Sequence, residues 1–316
     1  MGKAKSSYSL TGFAQLAGTF AAILVGLFVL KPFNTPENME KLSAVIGGFS
    51  QLMIYLPQIG HLIVFWIVIR FLPKVEWEKT PMSFGRLLII FSMLYVAGQA
   101  FNFLGDGITK MIHTGGTEQL NTVSSLVTSN QLFSFLIPAV IAPITEELMF
   151  RKLMIDRLHN YGETAVIIFT ALCFGLFHGN LQQAIYATAV GTILGSVYCK
   201  TGKVVHTILL HIANNTLSFS LTLILPLLTG KVSGAAFIEG IIAALILAAV
   251  VITGIVSLIR MLWKRKDIVL DNSMSDAIPK GAVFQTVYLN PGVILLFAFN
   301  IYTVISDLFN LPFFGN

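Results

Sequence analysis

The stretch Leu132–Arg151, "LFSFLIPAVIAPITEELMFR", opens as a segment suited to lipid and closes on two carboxylates and an arginine. Nothing in it before Glu146 is charged. A helix that is apolar all round is buried, either in a large protein core or in a bilayer. Composition selects the bilayer. The 316 residues are 55% hydrophobic and 11% charged, where soluble domains carry about 25% charged residues, and the mean hydropathy is +0.79. Backbone polar groups in lipid must be satisfied within the segment, so the expected fold is an all-α, polytopic transmembrane helical bundle.

A crossing takes roughly 20 apolar residues. Working outward from Leu132, the candidate spans are 11–31, 43–71, 86–105, 129–150, 162–178, 181–199, 204–228, 235–262 and 287–310. That gives eight or nine crossings, with 162–178 and 181–199 the shortest. Lys3 and Lys5 before the first run resemble a signal peptide, but the apolar run to Leu30 is too long for one and reads as a retained span. The segment 106–128 is polar, and 264–286 reads as a cytoplasmic loop. Three parts follow: N-terminal spans 1–128, a core 129–228, and C-terminal spans with that loop, 229–316.

With the N-terminus in the cytoplasm, sixteen of the twenty Lys and Arg fall on the inner side, leaving Lys31, Lys41, Lys110 and Lys231 outside. This bias supports nine spans in that orientation. It also accounts for the net charge of +5 without a nucleic-acid partner. The two cysteines, Cys173 and Cys199, make neither a disulfide framework nor a Cys-rich zinc site.

Ionisable residues inside apolar segments are costly and point to function. Of the fifteen acids, most lie in loops, and Glu146 and Glu147 continue an apolar helix. Glu147 and Arg151 are four apart and share a face, so they can pair. Glu146 points elsewhere. The bland alternative is an interfacial charge cluster. A second polar cluster is "FGLFHGN", 174–180, where Phe174 and His178 are four apart. A third is "HIANN", 211–215, with His211 and Asn215 on one face and Asn214 close to it, roughly 10 Å into the run at 1.5 Å per residue. Taken alone, these fit an interfacial histidine and a helix–helix contact.

Asn160-Tyr161-Gly162 reads as the turn of a helical hairpin. Glu146 and His178 then lie at nearly the same height on neighbouring helices, and His211 approaches from the same side. A carboxylate and an imidazole flanking a water make a general-base pair. A second imidazole and an asparagine can stabilise the oxyanion of an attacked amide. Glu146, His178 and His211 also suit zinc, with a position left for water. Both chemistries, zinc-dependent and metal-free, are open at this point. No HExxH motif and no serine nucleophile elbow is present.

These clusters resemble the EExxxR, FxxxH and HxxxN/B motifs of the CPBP (CAAX protease and bacteriocin-processing, or Abi) family, which includes the type II CAAX prenyl endopeptidases. Glu146, Glu147 and Arg151 match the first motif, Phe174 and His178 the second, His211 and Asn215 the third, in order within 146–215. The resemblance implies an intramembrane endopeptidase, often described as a metalloprotease, with a cytosol-facing cavity in a helical bundle. It implies that Glu146 and His178 activate water, that His211 and Asn215 hold the oxyanion, and that Glu147, Arg151 and Phe174 support them. The implied substrate is a hydrophobic peptide or a lipidated protein tail reached from membrane lipid, and the expected location is a bacterial plasma membrane. Two other classes compete. An ion-coupled transporter would need further charged spans or inverted repeats, and neither is visible. A non-catalytic scaffold or bacteriocin-immunity protein would keep the pocket but not the chemistry.

Overall fold

The computed structural model describes residues 1–31, 49–76, 78, 80–112, 135–229, 235–264 and 278–311, with 35, 38 and 41 described singly. Every regular element among them is helical. The chain runs α1 (Gly2–Leu24, continued as a π-helical turn Val25–Leu30), α2 (Phe49–Ile69) and α3 (Phe84–Ile112). The broken helix α4 extends from Ile137 to Leu158, and α5 (Glu163–Phe177), α6 (Leu181–Thr201) and α7 (Val204–Thr229) follow it. Last come α8 (Ala235–Trp263), the short α9 (Val283–Val287) and α10 (Pro291–Leu308). Among the described residues, four stretches are long and apolar enough to cross a membrane by length and composition: Gly2–Leu30, Phe84–Ile112, Ile238–Trp263 and Pro291–Leu308. The chain is an integral membrane protein. Each expected span meets a helix, although 43–48 and 129–134 lie outside the described residues.

α4 departs from the regular geometry that the sequence arithmetic assumes. It is π-helical over Ile137–Ile141, α-helical over Ala142–Glu147, and π-helical again over Leu148–Ile155. Pro138 and Pro143 lie in its first half. A proline lacks the N–H of the regular ladder and crowds the carbonyl four residues back, so a widened turn suits this segment. The N–H of Ala142 bonds to the carbonyl of Ile137, five residues back. Such π turns are frequent at functional sites.

The expected hairpin is present. His159–Tyr161 forms a 3-10 turn, and Gly162, at φ 101°, turns the chain into α5. That positive φ favours glycine. α5 ends at the turn His178–Asn180, where Gly179 has φ 70° and Asn180 caps α6 by accepting from the N–H of Gln183 at 2.8 Å. A side chain of that type is a preferred helix start.

Close helix contacts depend on small residues, as in other membrane bundles. A methyl group on Gly12 would strike the backbone of Gly292, which brings α1 against α10. One on Gly175 would strike the Ala184 carbonyl and the Thr188 side chain, which brings α5 against α6. One core joins buried residues from α1, α2, α4, α5, α6 and α10, Tyr8, Phe65, Met154, Phe169, Tyr198 and Leu296 among them. By contrast, α8 presents Ile238, Leu245, Ile252 and Ile259 outward.

The loop expected at 264–286 is corrected in its last part. Residues 265–277 lie outside the described residues. Ile278, Thr286 and Val287 are buried, and α9 packs on α1. The apolar residues Ile278, Val283 and Val287 supply a short buried face within an otherwise polar stretch.

Candidate active site

Glu147 sits at the junction of the regular and widened parts of α4 and is fully buried. Its Oε2 pairs with Nε of Arg151 at 3.2 Å, the side chains being 0% and 1% exposed. Its other oxygen, Oε1, accepts from Nδ1 of His211 at 2.9 Å. A carboxylate can only accept, so Nδ1 carries the proton and Nε2 is left for chemistry. Nε2 faces Oε2 of Glu146 across 3.7 Å. Glu146 is 16% exposed where Glu147 is closed off. Two adjacent glutamates therefore occupy different environments, one sealed and doubly paired, the other partly open.

Phe174 organises the opposite wall. The Arg151 guanidinium stands over its ring, 4.7 Å from the centroid, a favourable cation–π arrangement. His178 and His211 both meet that ring edge-on, with centroids 5.1 Å and 5.7 Å away. Arg151 also donates from Nη2 to the Gly191 carbonyl at 3.3 Å. Gly191 fits closely there, since a methyl would lie 3.0 Å from the Phe174 ring and 3.2 Å from the Ala171 backbone. The His178 ring bonds through Nδ1 to the Phe174 carbonyl at 2.9 Å, leaving Nε2. Each imidazole thus has one nitrogen held and the other available.

Asn215 donates to the Pro138 carbonyl at 3.0 Å, which ties α7 to the first π turn of α4. Its Oδ1 accepts from Asn214 at 3.2 Å. Asn214 is fully buried and also donates to the Tyr186 hydroxyl at 2.6 Å. The structure thus brings Glu146, Glu147, Arg151, Phe174, His178 and His211 to one place, with Asn215 one helical turn beyond His211.

Residue-by-residue reading missed three features. Glu147 holds His211 as well as Arg151, a contact between residues 64 apart in sequence. Tyr186 reaches Asn214 from the middle of α6, with nothing local to mark it. Tyr55, on α2, hydrogen-bonds the Thr145 hydroxyl beside Glu146. A tyrosine needs a partner for its hydroxyl when buried, and that general need is the one signal the sequence offers for the last two.

Glu146, His178 and His211 have the chemistry of zinc ligands, and each histidine has its second nitrogen held, as zinc-binding histidines do. Their donor atoms do not, however, come within 4.8 Å of one another as a set. Glu146 and His211 are close, and His178 stands farther off. As placed, the three do not fit a single ion.

Residues 128–217 match the protein-family model described as "Type II CAAX prenyl endopeptidase Rce1-like". Among curated proteins, the chain is 25% identical over 166 residues to the protein named "Putative membrane peptidase YdiL" of Bacillus subtilis (strain 168). That match spans 50% of this chain and 66% of the relative, just under two thirds of its length. No solved structure matches. All three motifs, from Glu146 to Asn215, lie inside the segment 128–217 that this family model matches.

Proposed function

We propose that the protein is an intramembrane endopeptidase that hydrolyses a peptide bond in a hydrophobic peptide or a lipidated protein tail. The observation that carries this reading is the contrast between the two glutamates. Glu147 is sealed against Arg151 and His211, and Glu146 is open beside the imidazole that Glu147 holds.

In this reading a water lies between Glu146 and Nε2 of His178. Glu146 takes a proton from it as its oxygen attacks the carbonyl carbon. His211 enters the step with a second proton, taken from solvent, on Nε2, and the oxyanion receives hydrogen bonds from that Nε2–H and from the second amide proton of Asn215. Glu147 stabilises that imidazolium through Nδ1, as the buried carboxylate of a catalytic triad does. On collapse the C–N bond breaks, and Glu146 returns its proton to the leaving nitrogen. The products are a carboxylate and an amine.

The positive-inside bias supports a cytoplasmic position for the hairpin 159–163 and the site. A peptide attached to the inner leaflet would reach it without leaving the membrane surface.

The test is cleavage of prenylated and unprenylated hydrophobic peptides by purified protein in detergent. Wild type should cleave and resist chelation. Glu146→Gln should lose a factor of about 100 to 10,000 in rate while unfolding at the wild-type temperature. Cleavage by Glu146→Gln at the wild-type rate would overturn the assignment. Loss of wild-type activity to a chelator, with recovery on added zinc, would overturn the metal-free step.

A further inference from the structure

A second group of titratable side chains stands apart from the candidate active site, at the hairpin turn. His159 is in the 3-10 turn, Glu163 is the first residue of α5, and Cys199 is near the end of α6. One ligand atom from each lies within 4.8 Å of the others, the only such set among the described residues. His159 Nε2 is 3.5 Å from Glu163 Oε1, with side chains 12% and 5% exposed. Cys199 is 4% exposed and carries no disulfide.

We propose that His159, Glu163 and Cys199 bind a thiophilic divalent cation of the zinc type, clamping the hairpin turn to the end of α6. An imidazole, a carboxylate and a thiolate are all donors that zinc accepts. The charges favour a divalent ion. Thiolate and carboxylate together carry −2 and offset the charge of the ion, while the ammonium of Lys200, 47% exposed, is left to water. The two oxygens of Glu163 are used differently. Oε1 faces His159, and Oε2 pairs with Lys200 Nζ at 3.6 Å. Lys200 then acts on the carboxylate from behind, as outer partners of metal ligands do. Its positive charge disfavours a second cation, which limits the site to one ion. Binding breaks the S–H bond of Cys199 and releases that proton to solvent.

This site is separate from hydrolysis. It holds the turn between α4 and α5, and its three ligands are none of Glu146, His178, His211 or Asn215, although Cys199 lies within electrostatic reach of Arg151. Its role is to brace the hairpin that presents them, and it does not depend on the peptidase reading.

The chain has two cysteines, so sulfur ligation can be assigned. Purified protein in detergent would be titrated with Co2+ and with Zn2+, following the thiolate-to-cobalt charge-transfer band and the metal content. We expect one equivalent bound, with the band present in wild type, Cys173→Ser and Glu146→Gln. Cys199→Ser should abolish the band, and Glu163→Gln, which removes a ligand, should weaken affinity by more than the about 10- to 100-fold that loss of an outer partner costs. Zn2+ should raise the unfolding temperature of wild type but not of Cys199→Ser. The proposal fails if wild type binds no metal or if the band follows Cys173. It also fails if the metal is lost in Glu146→Gln and kept in Cys199→Ser. Wild-type titration decides the first outcome without any variant needing to fold.

Discussion

Removing the charge from Arg151 and Glu147 in turn and then together separates what the pair does for folding from what it does for chemistry. Both side chains are sealed, at 1% and 0% exposure. Arg151→Met leaves Glu147 with His211 as its remaining close cationic partner, and Glu147→Leu leaves a buried guanidinium facing the Gly191 carbonyl and the Phe174 ring. Breaking one side of a buried pair costs about 3–5 kcal/mol, a large share of the roughly 5–15 kcal/mol that holds a typical fold. Each single variant should therefore show a marked fall in unfolding temperature and in yield of monodisperse protein. Replacing both by apolar groups of similar volume is often neutral or stabilising. Methionine also keeps a favourable sulfur contact with Phe174. The double variant should recover most of the stability. It should not recover activity, because His211 has lost the acceptor that fixes its Nδ1 proton and stabilises its charged form. Thermal unfolding followed by intrinsic fluorescence, beside the peptide-cleavage assay, reads both quantities. A double variant as unstable as Glu147→Leu would mean that the pair is not what strains the singles. Wild-type turnover in the double variant would remove Glu147 from the chemistry altogether.

Two further outcomes follow from the contacts around the site. Tyr186→Phe removes the hydroxyl that accepts from Asn214, the residue that in turn holds Asn215. A hydrogen bond of this kind is worth about 1 kcal/mol net to stability, so the unfolding temperature should fall by a few degrees, and kcat should fall several-fold with KM unchanged. An unchanged kcat would show that the Asn214 bridge does not position Asn215. Gly175→Ala puts a methyl against the Ala184 carbonyl, a backbone atom that cannot swing away. It should destabilise by about 1–3 kcal/mol as overpacking does, against a helix-propensity gain of about 1 kcal/mol. Gly107→Ala, with open space around the new methyl, should keep only the gain, and a fall in its unfolding temperature would contradict the packing account.

The helical class and the positions of the helices were legible because a bilayer leaves few ways to satisfy a backbone, so apolar length maps directly onto helix. The hairpin at 160–162 was legible for a local reason as well, since the glycine there takes a conformation that other residues avoid. The π-helical course of α4 was not legible. Periodicity reading assumes 3.6 residues per turn, and nothing in "LMFRKLMI" announces a wider turn over 148–155. The short α9 was missed because its buried face belongs to five residues within a polar stretch, too few for a periodic signal.

At the site, what could be read was what lies on one helix. Glu147 and Arg151 are four apart, as are Phe174 and His178, and both contacts form. What escaped is the set of contacts that cross between helices: Glu147 to His211, Asn214 to Tyr186, Asn215 to Pro138. These determine the chemistry more than the local pairs do. Glu147 was assigned to Arg151 alone, yet its second oxygen gives His211 its tautomer. A carboxylate has two acceptor oxygens, so a sealed glutamate with a single arginine partner would leave one unused at a cost. That requirement could have been written down from the sequence, since a buried Glu147 needs a second donor and His211 was the one already placed at the same depth. The two glutamates are thus divided by the number of buried donors available. Glu147 takes Arg151, His211 and the Thr207 hydroxyl from the protein, and Glu146, facing the nitrogen of His211 that Glu147 leaves over, is the one with capacity for water.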